Sequence, residues 1–250
     1  VTASNGIVLV TGPTGSGKST TLYSLLERMN SPKKNIITLE DPVEYTMKGI
    51  TQVQINEKID LSFGEVLRSI LRQDPDIILV GEIRDTETAQ LAVRAALTGH
   101  LVLSSLHTND AASSINRLID MGVPGFLLAS SLRTIVAQRL VRKLDVHCRQ
   151  QRYITPQEAH DTGIPEGTEI MIPTGCKECR NTGYKGRTVI SEVMPISSSI
   201  RSLITRGAGD QELREQARRE GMMTLREDAR NKVLAGVTSV EEMLFSTLMD

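Results

Sequence analysis

Apolar residues in this chain fall into short unbroken runs, separated by stretches where they recur every three or four positions. Ile7-Val8-Leu9-Val10, Ile36-Ile37-Thr38-Leu39 and Ile77-Ile78-Leu79-Val80 are such runs, and residues 100–105 hold a fourth, Leu101-Val102-Leu103. Successive strand side chains point to opposite faces, so four consecutive apolar residues suit a strand covered on both sides in a parallel sheet. After the first run, Leu22, Leu25 and Leu26 have helical spacing. Residues 86–97 after the third run read as a helix, with Asp85 a candidate cap. Alternation of strand and helix predicts an α/β fold. From Met194 on the pattern is helical, and Thr224-x-x-Glu227 and Thr238-x-x-Glu241 read as capping boxes.

The first strand and helix are joined by Gly12-Pro13-Thr14-Gly15-Ser16-Gly17-Lys18-Ser19, with Thr20 in the opening turn of the helix. Strand, glycine loop and helix N-terminus make an anion cradle of backbone N–H groups reinforced by the helix dipole. In such a P-loop (Walker A) Lys18 reaches the β/γ-phosphates and the Ser19 hydroxyl faces Mg²⁺. The segment implies nucleoside triphosphate binding.

The second strand ends in Glu40-Asp41-Pro42-Val43-Glu44-Tyr45. Ligands of open α/β sheets bind beyond the carboxyl ends of strands, where a carboxylate can orient or deprotonate attacking water. Taken alone, the segment is more simply an acidic loop. The third strand ends at Glu82, in the Walker B place that helps hold Mg²⁺ and polarise water. Two histidines bracket the fourth strand. His107, past its carboxyl end, reads as a γ-phosphate sensor, whereas geometry gives His100 at the other end no such role.

Composition narrows the partners. At 250 residues the chain holds one large domain or a core with appendages. With 29 basic against 30 acidic residues, 3% aromatics and no Trp, neither phosphate steering nor base stacking on rings is favoured, and nucleic acid is not expected. No run approaches membrane-spanning length, and no signal peptide is visible. Three cysteines suit a reduced compartment and a metal better than a disulfide framework, so a cytoplasmic protein is expected. The chain begins at Val1 with a core strand a few residues in, as the C-terminal part of a longer protein or an excised domain would.

LEDPVEY, RQDPDIILVGEIRD, TGHLVLSSLHTNDA and VAQRLVRKL, together with the P-loop, resemble the nucleotide-site boxes of the secretion traffic ATPases, the hexameric motors of type II secretion and type IV pilus systems. The resemblance covers nearly the whole chain. It implies that Glu44 is the water-activating carboxylate, with Glu40 and Asp41 in support. It makes Glu82 the Walker B acid, and assigns His100 and His107 to the His box. It further implies ATP and Mg²⁺ as cofactors, a homo-oligomeric hexameric ring, an inner-membrane platform and other secretion-system proteins as partners, and a cytoplasmic, peripherally membrane-associated location. In that family an N-terminal domain supplies arginines that close over the nucleotide. Without it turnover is expected to be low, and Arg84, Arg94 and Arg117 are candidates to act from a neighbouring subunit.

Cys148 and the pair Cys176-Lys177-Glu178-Cys179 resemble the tetracysteine zinc subdomain of the assembly branch, as does Gly183-Tyr184-Lys185-Gly186-Arg187-Thr188. Asp145 stands where that pattern has its first cysteine. Zinc accepts carboxylate oxygen, so Asp145, Cys148, Cys176 and Cys179 form a candidate structural site, with His147 a competing fourth ligand and a decayed, metal-free loop the alternative. The expected organisation is a RecA-like P-loop NTPase core at residues 1–144, a small cysteine-containing insert at 145–190 and a C-terminal helical subdomain at 191–250. In the last, the charged residues of 212–220 read as a solvated face and Met222, Met223, Met243 and Met249 as core filling. Two rivals to a secretion or pilus-assembly ATPase are a nucleic-acid-translocating RecA-like motor and a nucleotide-binding assembly module with little turnover of its own.

Overall fold

A computed structural model describes residues 4–59 and 61–247. Met249 lies outside them. The chain divides into two compact units: Val1–Thr14, Lys18–Ala137 and Val193–Met222 form the first, and Gly15–Gly17, Gln138–Glu192 and Met223–Asp250 the second.

The first unit follows the apolar runs. β1 (Gly6–Thr11), β2 (Ile36–Glu40), β4 (Ile77–Val80) and β5 (Leu101–Leu106) are buried along their whole length. An exposed strand, β3 (Thr51–Gln54), pairs with β2. Two long strands, β6 (Leu132–Leu144) and β9 (Tyr184–Pro195), each run from one unit into the other. Among the described residues the main sheet has the order β3-β2-β4-β5-β1-β6-β9. The pairs β1–β5, β1–β6, β2–β3, β2–β4 and β4–β5 are parallel.

Alternate residues of each run feed two cores. Val8, Val10, Ile36, Ile77, Leu79, Leu101 and Leu103 pack with Leu22, Tyr23 and Leu26 of α1 (Lys18–Met29). Ile7, Leu9, Ile37, Leu39, Ile78, Val80 and Val102 pack on the opposite face against α2 (Phe63–Ile70), α3 (Thr86–Leu97) and α4 (Ala111–Asp120). This two-sided burial is why the strands carry no polar alternation. Asp85 caps α3 as its position predicts, accepting from the Thr88 N–H at 2.8 Å. Three further helices complete this unit: α5 (Gly125–Ser131), α7 (Ser198–Thr205) and α8 (Asp210–Arg219).

The second unit has its own core, in which Val141, Ile154, Ile164, Ile170 and Ile190 meet Leu225, Ala229, Val233 and Met243. It includes the antiparallel pair β7 (Gln150–Tyr153) and β8 (Glu169–Ile172), and the helices α6 (Pro156–Thr162), α9 (Leu225–Leu234) and α10 (Val240–Thr247). Residues 191–250, continuous in sequence, thus give α7 and α8 to the first unit and α9 and α10 to the second.

Two local expectations change. Thr224 and Glu227 form the anticipated capping box of α9. Thr238 does not cap α10: its hydroxyl donates to the Arg142 carbonyl at 2.7 Å, and Ser239 accepts the Glu242 N–H instead. Glu242 spends its carboxylate on Arg142, whose guanidinium also lies 4.0 Å from the Tyr184 ring centre. Of the methionines, Met222 and Met243 are buried, but Met223 is 45% exposed and fills no core. In α8 the charged face is not wholly solvated, since Arg214 pairs with Asp110 at 2.8 Å.

Candidate functional site

Because β1, β2, β4 and β5 are parallel, the loops after them share one edge of the sheet. The P-loop follows β1, an inner strand with β5 on one side and β6 on the other. Such a reversal of strand order is where α/β folds open a crevice for ligands. Gly15 and Gly17 have φ of +80° and +88°, a region that residues with a Cβ seldom enter. A Cβ on Gly17 would also come within 3.2 Å of the Gln138 side-chain nitrogen. The glycines therefore let the loop take the left-handed turns that lead into α1.

Lys18 Nζ donates to the Gly12 and Pro13 carbonyls at 2.8 and 3.1 Å, so the ammonium is folded over its own loop. Burial pushes its pKa below the ordinary lysine value, and the Glu82 carboxylate opposes that shift. Ser16 Oγ is buried with no hydrogen-bond partner among the described residues. An orphaned hydroxyl inside a glycine cradle fits a ligand that brings its own oxygens. Pro13, Thr14, Gly15, Ser19 and Thr20 are exposed, and Gly12 is buried.

Glu82 stands just beyond β4, its side chain 14% exposed. One carboxylate oxygen is 3.3 Å from His107 Nε2, and the other pairs with Arg84, which also reaches Asp41 at 3.8 Å. Asp41, Glu82, Arg84 and His107 are therefore assembled from the ends of three strands. Thr11 and Thr108 tie the His107 loop to β1: their hydroxyls lie 2.6 Å apart, and the Thr108 N–H donates to Thr11 Oγ1.

Glu40 is buried rather than poised over ligand. Its Oε1 accepts from Thr38 at 2.5 Å and Gln52 at 3.2 Å, and its Oε2 from the Tyr23 hydroxyl. Glu44, by contrast, is exposed, on a loop that opens with the cis Asp41–Pro42 peptide.

His100 is not brought to this edge. It precedes β5, with Nδ1 2.9 Å from the Ala95 carbonyl and 3.2 Å from Thr98 Oγ1. At about 3.3 Å per strand residue it sits roughly 20 Å from His107. In this chain its contacts are those of a helix-to-strand junction. Arg94 and Arg117 are exposed in the last turns of α3 and α4, whereas Arg84 is engaged within the site.

Sequence reasoning missed Tyr23. It lies on the buried stripe of α1, 2% exposed, where a phenol hydroxyl needs a partner. That stripe was the available signal.

In the second unit, one ligand atom from each of Asp145, Cys148, Cys176 and Cys179 lies within 4.8 Å of all the others. Cys179 Sγ is 3.8 Å from Cys148 Sγ and 3.7 Å from Cys176 Sγ, and Cys176 Sγ is 3.6 Å from Asp145 Oδ2. A tetrahedron with Zn–S near 2.3 Å and Zn–O near 2.0 Å has edges of about 3.8 Å (S···S) and about 3.5 Å (S···O). The donor set fits zinc in type, number and spacing. Local turns build it. The N–H groups of Cys176 and Gly183 donate to Cys179 Sγ at 3.1 and 3.2 Å, while the His147 N–H donates to Asp145 Oδ1 and leaves Oδ2 for the cluster. Burial pushes the Cys179 thiol up, but these N–H bonds outweigh it and bring the pKa to about 7, toward the thiolate a metal needs. A Cβ on Gly183 would collide with Pro173. His147 points elsewhere, 3.8 Å from Glu178.

A largely parallel sheet with a P-loop after β1 and an acid after β4, across the intervening β5, defines a RecA-like P-loop nucleotide-binding protein. Comparison with known proteins narrows the class: the chain belongs to the Type II/IV secretion system protein family, whose model matches residues 1–245. It is 55% identical over 240 residues to type II secretion system protein E of Klebsiella pneumoniae, covering 96% of this chain and 48% of that protein. It is 49% identical over 247 residues to the type IV pilus assembly ATPase PilB of Thermus thermophilus, covering 97% and 28%. The crystal structure of the pilus retraction motor PilT with bound ADP superposes with a TM-score of 0.74 at 32% identity, covering 98% of this chain and 62% of that one. The chain spans about half the length of the type II secretion relatives it matches. No helix among the described residues is long and apolar enough to cross a membrane.

Proposed function

We propose that this chain is the ATP-hydrolysing part of a ring-forming motor that drives pilin or pseudopilin assembly in type II secretion or type IV pilus systems. The observation that carries this reading is the convergence of Glu82, His107, Arg84 and Asp41 at the strand ends that also bear the P-loop. The P-loop N–H groups and Lys18 bind the triphosphate, Lys18 leaving its own carbonyls to meet the β/γ oxygens. Glu44, exposed on the neighbouring loop, orients the attacking water and accepts its proton. His107 senses the γ-phosphate through its contact with Glu82.

Ser19 and Glu82 offer the hard oxygen donors that Mg²⁺ prefers, and the ion when bound supplies charge neutralisation at the phosphate oxygens. Asp145, Cys148, Cys176 and Cys179 would hold a structural zinc, a closed set of four with no position left for substrate. The full-length protein would act as a hexamer on the cytoplasmic face of the inner membrane, held there by a platform protein. An arginine closing over the nucleotide is worth about 10³–10⁵ in rate for related NTPases. Turnover by this chain alone is therefore slow.

Steady-state ATP hydrolysis with light scattering, beside the longer protein, tests the reading. Slow turnover that rises many-fold with the upstream segment and with ring assembly supports it. Full turnover by the isolated chain as a monomer would remove the need for trans-acting arginines, and DNA-stimulated, salt-sensitive turnover would favour a nucleic-acid motor.

A further inference from the structure

The loop that carries Glu44 is exposed at Asp41, Pro42, Glu44, Tyr45 and Thr46, yet a water-activating carboxylate must be held to a fraction of an ångström. Its anchors lie beneath it. The Tyr23 hydroxyl accepts the Glu44 N–H at 3.3 Å and donates its own proton to Glu40. Gln52 accepts the Met47 N–H at 2.7 Å and donates both to the Tyr45 carbonyl at 3.1 Å and to Glu40. The Tyr45 ring stands edge-on to Tyr23, centroids 4.7 Å apart. Glu40 is thus the buried hub of a knot that binds both sides of the loop, and Tyr23 is its link to α1.

That link has a direction. α1 begins at Lys18 and Ser19, and Tyr23 is one turn further along the same helix. Any shift of the P-loop helix would be passed through the Tyr23 hydroxyl to the backbone of Glu44, because the one hydroxyl joins α1 to that loop. We infer that Tyr23 is a positioning residue, which through Glu40 and the Glu44 N–H sets the water-activating carboxylate in register with the P-loop. The inference rests on the assignment of Glu44 above. Tyr23 touches no reacting atom, so its loss should lower the chemical step and spare binding.

The test compares Tyr23→Phe, Glu44→Gln and the double variant of the 250-residue chain, measuring kcat, KM and the ATP dissociation constant. Phe keeps the ring, its packing and its contact with Tyr45. Tyr23→Phe is expected to lower kcat about tenfold with KM and affinity within about twofold. In the Glu44→Gln background it should change residual turnover by less than about twofold, because nothing remains to be positioned. An equal fall in both backgrounds, weakened ATP binding or an unchanged kcat each overturns the inference. Near-normal turnover by Glu44→Gln alone instead overturns the assignment of the base, and the two failures are distinguishable. Should Tyr23→Phe fold poorly, Gln52→Met loosens the same loop from its half-exposed side and is held to the same kcat-only outcome.

Discussion

The nucleotide site and the cysteine cluster are built on opposite plans. The first gathers residues distant in sequence, Lys18, Asp41, Glu82 and His107, from the ends of parallel strands. Its polar groups meanwhile bind what lies beside them: Lys18 sits on loop carbonyls, and Arg84 and His107 on Glu82. The second draws four candidate donors from two tight turns, with three of their separations at the edge lengths of a tetrahedral zinc site. A site that must cycle is made of exchangeable contacts. The cysteine cluster is instead set by backbone N–H bonds and by a glycine, Gly183, that leaves no room for a side chain.

The largest expected effect separates the two by chemistry. Glu44→Gln should cut turnover by about 10²–10⁴-fold while leaving ATP affinity and bound zinc unchanged. Rate and affinity measured on one preparation, with zinc by atomic absorption, check this, and a fall in zinc content would break the contrast. Cys176→Ser should act the other way. Zinc falls from one per chain toward none, and stability drops by on the order of 3 kcal/mol, roughly 6–12 °C in melting temperature. ATP affinity should hold within about twofold.

A smaller effect sharpens the picture of the nucleotide site. Arg84 is the exposed partner of the largely buried Glu82, so Arg84→Ala should release that carboxylate oxygen and lower the Mg²⁺ concentration for half-maximal nucleotide binding about two- to fivefold. A magnesium titration with fluorescent nucleotide reads it, and a higher requirement would mean that Arg84 helps build the site instead of occupying it. The smallest effect lies in the second unit. Arg152 holds Glu158 down to about 2, from an ordinary 4.5. A depressed carboxylate stabilises fully above its unfolded pKa and loses that stabilisation as pH falls from about 4.5 through about 2. Glu158→Gln should cost on the order of 1 kcal/mol at neutral pH after solvent screening, with the gap closing across that window in acid melts.

The strands and the P-loop were legible because their signals are local. A run such as Ile77–Val80 states its own two-sided burial, and a glycine loop before a helix states its own anion affinity. The spacing of Cys176 and Cys179 marks a tight turn that brings their sulfurs together, whereas Asp145 and Cys148 joined the candidate set through the family resemblance and are brought to it by the fold. Which acid of residues 40–45 is buried was not legible. Glu40 and Glu44 are alike on paper, and only the arrival of Tyr23, Thr38 and Gln52 around Glu40 tells them apart. Thr238 failed for a like reason: the Arg142 carbonyl, 96 residues away, claimed its hydroxyl, and Ser239 capped the helix.

By itself, then, the sequence determined the strands of the α/β core and the phosphate loop, because each follows from interactions within a few residues. Tertiary structure decided the rest. It buried Glu40 against Tyr23, hung the Glu44 loop from the same hydroxyl and gave the Thr238 hydroxyl to the Arg142 carbonyl. These outcomes depend on which distant hydrogen-bonding groups meet when the sheet closes, and no local pattern encodes those partners.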